Sequence, residues 1–407
     1  MRVLFLAFWY PSRDSRYSGV FIREHAKAVR AAGDEVAVLH LAGVSHEGRG
    51  LWRMEEELDP ELTEGIPTFH VFRRRPSRSV PGISPISRGI SYSLYLWSAI
   101  RAARRLRRRG FRPDVIHAHV HRAGVPAILI GKLFGAPVVI TEHSTEFSQG
   151  AVARGPYSAR FAFPRAARVL PVCATLQQAI SACGIRASFE VVPNAVDTSL
   201  FFATKRKLPM ADPKRMIFVG NLEPTQHKGF PTLVEALTRL RERRIDWHLD
   251  VIGEGPSRAE CERLVADSDL SDRVSFLGAR PKEEIAEIMR SSDLFVLPSR
   301  FENLPCVLIE AMTCGLPVVS TQVGGIPEMV SGRDGVLVPP DDPSALAEAL
   351  DRVLSNLASF DGDDIAVRAR ARYSLEAVGA QLHAVYISVL STRRRETVVP
   401  KSTPTES

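Results

Sequence analysis

The sequence predicts an α/β protein made of two doubly wound domains that face each other across a cleft. Three observations carry this expectation. The chain has 407 residues, more than one ordinary domain uses. Short apolar runs alternate with helical stretches, the pattern of parallel strands covered on both faces. That rhythm occurs twice, on either side of VVPNAVDTSLFF (191–202), without an internal repeat of fixed period.

RVLFLAF (2–8) reads as the first strand, and VFIREHAKAVRAAG (20–33) as an amphipathic helix stopped by Gly33. EVAVLHLA (35–42), PDVIHAHV (113–120), APVVITEH (136–143) and ARVLPVC (167–173) continue the strand set. Gly, Ser, Pro and Arg interrupt the rhythm over 44–90, apart from a short strand near 66–73, which predicts a surface excursion. The second half offers RMIFVGN (215–221), WHLDVIGEG (247–255), RVSFLGA (273–279), DLFVLPS (293–299), LPVVST (316–321) and DGVLVPP (334–340) as strands. Helices are expected near 230–244, 257–268, 282–291, 305–314 and 343–357. The domains are therefore expected over 1–193 and 194–373, hinged near Asn194–Asp197. The pattern SLEAVGAQLHAVYISVL (374–390) predicts a helix packed back on the first domain, and the polar residues 392–407 are expected to be disordered.

A hydrophobic content of 45% with 24% charged residues is that of a soluble globular protein. The apolar run at the N-terminus is too short to span a membrane and lacks a small-residue cleavage site, so a first core strand fits it better. Five cysteines match neither a disulfide framework nor a metal motif and read as reduced thiols in a cytoplasmic protein. The net charge of +7 rests on arginine, since only eight of the 53 basic residues are lysine. No nucleic-acid partner is expected. The arginines cluster at 73–75 and 101–112, and Leu94 and Trp97, with Ile90, share a helical side with Arg101, Arg104, Arg105 and Arg108. Ala99, Ala102, Ala103 and Leu106 form the opposite, packing side. Either the arginines are a solvated face, or Arg73 and Arg104 meet an anionic membrane or a phosphorylated acceptor.

Ligands of doubly wound sheets lie beyond the carboxyl ends of the strands. Four such loops stand out in the second half. GNLEPTQHKGF (220–230) sets Lys228 just before a helix, and GEGP (253–256) has two glycines that let backbone approach a ligand. The others are FENLPCVLIEAM (301–312) and VGGIPE (323–328). Pro305 suits a first helical turn, which leaves Glu302 in the preceding loop and Glu310 inside the helix. Two carboxylates so placed are about 8–12 Å apart. A retaining glycosidase pair needs roughly 5 Å, and no histidine lies nearby to complete a metal site. A long ligand held at both ends, with phosphate at the helix start, fits the spacing; a nucleotide-sugar has that layout. A helix-start acid beside an exposed glutamate fits it equally. No Gly-x-Gly-x-x-Gly follows the first strand of either domain, which excludes the usual nicotinamide fingerprint.

FENLPCVLIEAMTCGLPVVSTQVGGIPE resembles the Glu-x7-Glu segment of the retaining glycosyltransferases of family four, the group 1 glycosyltransferases with GT-B fold. IFVGNLEPTQHKGFPTLVEAL, LDVIGEGP, VSFLGA, DLFVLPS and VVPNAVDTSLF resemble its other landmarks in order, as do SGVFIREHAKAVRAAGDEVAVL, PDVIHAH and TEHS in the first domain. The resemblance spans roughly residues 1–390 and is looser at 44–90. It implies transfer of a sugar, with retention, from a nucleotide-sugar to an acceptor hydroxyl; a UDP-sugar is favoured and GDP-mannose is the alternative. The implied fold is GT-B, with an N-terminal acceptor domain, a C-terminal donor domain, no cofactor and no metal. By position, Glu302 would hold the donor sugar, Glu310 the ribose and Lys228 the leaving diphosphate. His143 would approach donor sugar and phosphate from the facing domain, and Gly19 would permit closure. Asn221, Gly253, Asn303, Leu304 and Cys306 fall in the implied donor site, and His119, Arg73 and Arg104 on the acceptor side.

Two departures stand out. Asn221 occupies a position where the family usually has a diphosphate-binding Arg, and Ala195 replaces the usual hinge glycine. His117, His119 and His121 alternate and share a face if extended, but no Cys or acid at useful spacing completes a metal site. Asp267-Ser-Asp269 and Asp361-Gly-Asp363 follow no apolar strand and read as solvated turns. Three further classes remain to be weighed against the transferase. A sugar-nucleotide epimerase would need no acceptor, a phosphorylase would want a pyridoxal lysine, and a silent binding protein would lack the acids and Lys228.

Overall fold

Two parallel sheets form the frame of the computed structural model, which describes residues 1–41, 52–73, 85–148, 155–204 and 213–398. The first contains β1 (Arg2–Ala7), β2 (Glu35–His40), β3 (Trp52–Glu56), β4 (Thr68–Arg73), β5 (Val115–His119), β6 (Val138–Glu142) and β7 (Arg168–Pro171). The second contains β8 (Lys214–Val219), β9 (Trp247–Ile252), β10 (Val274–Gly278), β11 (Leu294–Leu297), β12 (Val318–Thr321) and β13 (Gly335–Val338). The spatial orders are β3-β4-β2-β1-β5-β6-β7 and β10-β9-β8-β11-β12-β13. Leaving out the edge strand β3, both follow the 3-2-1-4-5-6 order of a dinucleotide-binding fold. Each therefore has one switch point, between β1 and β5 and between β8 and β11. Helices cover both faces, which is why β5, β6, β11 and β12 are buried along their whole length.

The segment 44–90 is not wholly a surface excursion. β3 runs antiparallel to β4, with Trp52 opposite Arg73 and Glu56 opposite Phe69. Only Met54 of β3 is buried, so this charged edge strand has no apolar run by which to announce itself. The side chain of Arg73, all of Arg74 and Arg75, and the side chain of Ile90 lie outside the described residues.

Helix Pro85–Arg108 buries Ala99, Ala102, Ala103 and Leu106 against the first sheet and leaves Arg101, Arg104, Arg105 and Arg108 exposed. The Arg101 guanidinium lies 4.8 Å from the Trp52 ring and 5.2 Å from that of Trp97. These aromatics and Arg104, Arg105 and Arg108 border a groove of about 560 Å³. No helix among the described residues is long and apolar enough to cross a membrane.

The last helix, Leu375–Val398, packs on helix Val20–Ala31 of the first domain. Val378, Leu382, Val385 and Tyr386 join Val3, Phe5, Ile22 and Val29 in one core. Disorder was expected from residue 392, but the helix continues to Val398; residues 399–407 lie outside the described set.

Candidate functional site

Three features of local sequence bring the loops beyond the second sheet together. Gly253, just past β9, has φ +145, and a Cβ there would fall 1.9 Å from the Gly220 carbonyl oxygen, so only glycine lets the two loops nest. Lys228 ends the loop after β8, and Glu302 lies in the loop after β11, so the switch point sets them side by side. Pro305 caps helix Cys306–Thr313 instead of occupying its first turn, and Glu310 is the fifth helical residue.

The Lys228 Nζ lies 2.6 Å from Glu302 Oε1, and the Ser299 hydroxyl donates to the same oxygen at 2.9 Å. Glu310 is separate, buried, and 3.7 Å from Lys282 Nζ. Lys282 also pairs across the domain boundary with Glu24 at 3.0 Å. Burial pushes the Glu310 carboxyl up, and Glu24 adds to this against the pull of Lys282. Burial alone would depress Lys282, but Glu24 and Glu310 outweigh it and hold its ammonium protonated. Lys27 completes the group with Asp197 and Glu64, each at 2.6 Å. Arg23, Glu24, Lys27, Asp197 and Lys282 border a cavity of about 650 Å³ between the domains.

The facing wall is built at the ends of β5 and β6. Glu142 is fully buried and accepts three backbone N–H bonds, from His121 (2.8 Å), His143 (2.9 Å) and Ser144 (2.7 Å). Burial raises its pKa to about 7 against those donors. Between His119 and His121 the backbone of Val120 takes φ +70, a strained value for a β-branched residue. Gly19 on the β1 loop has φ +65, and a Cβ there would sit 2.5 Å from the Trp9 carbonyl, so helix Val20–Ala31 starts hard against that loop.

Asn194 and Asn303 tie the walls together. Asn194 donates to the Leu304 carbonyl at 2.7 Å, leaving its oxygen to accept from His143 Nδ1 at 3.1 Å. Asn303 donates to the His143 carbonyl at 2.8 Å and accepts from Ser148 at 2.8 Å. Burial, with His25 and His117 nearby, holds the His143 pKa well below its ordinary value, so the ring is neutral.

The remaining predicted residues fall as follows. Asn221 is exposed, Leu304 is buried, and Cys306 opens its helix with a thiol pushed up to about 12 by burial and Glu310. Ala195 is not at positive φ, so the hinge does not require glycine. His119 is fully buried next to His143. His117 stacks on His119 with centroids 4.4 Å apart, but His121 does not join them. His117 bonds Tyr386 and Thr141, each at 2.7 Å, and His121 opens a helix and bonds Ser158 at 2.6 Å. Asp361 is a helix cap, accepting from Asp364 N. Sequence reading missed Lys282, Glu24, Lys27, Asn194 and His25. Lys282 had a usable signal, since it follows β10 as the other site residues follow their strands.

Solved structures share this architecture. A sucrose-phosphate synthase from Thermosynechococcus elongatus superposes with a TM-score of 0.72 at 22% identity, covering 96% of this chain and 100% of its own. Anabaena HepE, solved in complex with UDP-glucose, gives 0.70 at 20%, covering 95% and 100%. The fold and its cleft are those of the GT-B class of glycosyltransferases. The family model "Glycosyltransferase Family 4" matches residues 18–200, and "Glycosyl transferases group 1" matches 213–356. Glycogen synthase of Mycobacterium tuberculosis is 28% identical over 97% of this chain and 96% of its own. D-inositol 3-phosphate glycosyltransferase of Pseudarthrobacter chlorophenolicus is 29% identical over 86% and 84%. The chain belongs to the group 1 glycosyltransferases of family four.

Proposed function

We propose that the protein transfers a sugar, with retention and without a metal ion, from a nucleotide-sugar to a hydroxyl of an acceptor. The observation that carries the reading is the Lys228–Glu302 pair at the second sheet's switch point, joined to the His143 loop through Asn303. Glu302 accepts hydroxyl hydrogen bonds from the donor sugar, and Glu310 accepts them from the ribose. The bond from the anomeric carbon to the diphosphate breaks and one to the acceptor oxygen forms on the same face. Negative charge grows on the diphosphate, where Lys228 and the free N–H groups at the start of helix Cys306–Thr313 oppose it. A UDP-sugar is the favoured donor, because the Anabaena structural relative binds UDP-glucose; GDP-mannose is the alternative.

A nucleotide-sugar panel read by thermal shift, followed by product NMR, tests this. One nucleotide-sugar is expected to raise the melting temperature by mass action, to give an acceptor glycoside of unchanged anomeric configuration, and to react equally fast in EDTA. Donor conversion without acceptor would instead mark an epimerase, and an inverted product or EDTA-abolished turnover would overturn the mechanism.

The arginine face of helix Pro85–Arg108 supports a peripheral contact with an anionic membrane that presents the acceptor. Each Arg near such a surface contributes on the order of 1 kcal/mol. Co-sedimentation with anionic liposomes is expected at low salt, falling with salt and in Arg104→Glu/Arg108→Glu. Wild-type protein left in the supernatant at low salt would remove the membrane from the reading.

A further inference from the structure

His25 from helix Val20–Ala31, His119 at the end of β5 and His143 just past β6 converge below the cleft. Their ring centroids form a near-equilateral triangle with sides of 5.6, 5.5 and 5.5 Å. One nitrogen from each lies within 4.8 Å of the other two. Zinc bonds imidazole nitrogen at about 2.0–2.1 Å in tetrahedral geometry, which places the centroids of three bound rings roughly 5.2 Å apart. The centroids are within a few tenths of an ångström of that spacing, while the nitrogens, at most 4.8 Å apart, must draw in to about 3.3 Å.

The hydrogen bonds fix which nitrogens carry lone pairs. Asn194 offers its oxygen to His143 Nδ1, so that nitrogen is protonated and Nε2 is free to accept. His119 Nδ1 lies 3.2 Å from it and must be the donor. His25 Nε2 donates to the Pro193 carbonyl at 2.9 Å, which leaves a lone pair on Nδ1. That Nδ1 and His119 Nε2 are both buried without a partner. Burial in the core does not explain the orphaned His25 Nδ1 in a cluster with the His119–His143 pair. Burial holds His25 at about 4 and the other two well below their ordinary value, so all three are in the neutral, ligating form. Asn194 and Pro193 orient the rings as outer-shell partners do at metal centres.

We propose that His25, His119 and His143 form a site for a divalent transition ion of the zinc type, entered past the partly exposed His143. Binding replaces the His119–His143 hydrogen bond, with the His119 proton moving from Nδ1 to Nε2, and no proton is released. The ion holds His143 away from the donor, so the site is inhibitory. This last clause rests on the proposed function; metal binding does not.

Calorimetry of EDTA-stripped protein with zinc chloride, and zinc-edge X-ray absorption, test the site. One zinc per chain with three nitrogen ligands is expected, with affinity falling at least tenfold in His119→Ala and in His25→Asn. His248→Ala, at a separate histidine, should bind zinc as the wild type does. Absence of micromolar zinc binding, or binding unaltered by both cluster substitutions, would overturn the site. Zinc should also slow glycosyl transfer by the wild type, reversibly with EDTA, and spare His25→Asn. Stoichiometric zinc bound at the cluster without loss of turnover would overturn the inhibition alone.

Discussion

Lys228→Ala is expected to lower kcat/KM for sugar transfer by about 10²–10³, the usual cost of removing one preorganised group from developing charge. The loss should lie mainly in kcat, because the full charge on the diphosphate exists only as the glycosidic bond breaks. Removal of Lys228 also strips Glu302 of its only described cation, while Ser299 still donates to it. Glu302→Ala should therefore share the kcat loss and leave nucleoside diphosphate binding nearly unchanged. Glu310→Ala should do the reverse, weakening donor binding through lost charged hydrogen bonds of about 1.5–3 kcal/mol each. Its partner Lys282 keeps Glu24, so the fold is expected to survive. Steady-state kinetics with calorimetry of the nucleotide decide the assignment. Equal effects of all three substitutions on kcat and on affinity would merge roles that the geometry separates.

A second large effect is expected on acidification. Burial depresses His25, His40, His70, His117, His119, His121 and His143. The unfolded chain protonates these rings near pH 6.5, while folded His25 resists until about pH 4. Between those values the unfolded state binds more protons, so stability falls as pH falls, by about 1.4 kcal/mol per unit for each ring. Glu142, raised to about 7, and Glu310 act in the opposite direction, because the folded state takes up their protons first. The histidines outnumber them. The melting temperature should drop steeply between pH 7 and 5, and His25→Asn should flatten the drop. A constant melting temperature over that range would mean that the rings are not held neutral.

How much was legible depended on whether a residue's role is local. Lys228, Glu302 and Gly253 stand in loops directly after apolar strands, where topology alone locates ligands. β3 was not legible, since an edge strand with one buried residue carries no apolar periodicity. His25 was hidden for a different reason. It occupies the apolar face of a helix, and its meaning comes from His119 and His143, far away in sequence. His117 and His119 do share a face of β5, as alternation requires, yet His121 leaves the strand at Val120 and turns elsewhere. Lys282 is a cation at a helix start, the end that favours anions; only Glu24 from the other domain and Glu310 make sense of it.

The last helix has a bearing on how the polypeptide is made. β7 closes the first sheet at Pro171, but the helix that covers Val3, Phe5 and Ile22 begins only at Leu375. A ribosome adding about 5–20 residues per second leaves that apolar face bare for roughly 10–40 s while the second domain emerges. His117 meanwhile lacks Tyr386, one of its two described hydrogen-bond partners. Until that helix arrives, the nascent N-terminal half presents Val3, Phe5 and Ile22 without their cover. The second domain, whose sheet runs from Lys214 to Val338 without interruption from the other, is free to complete itself first.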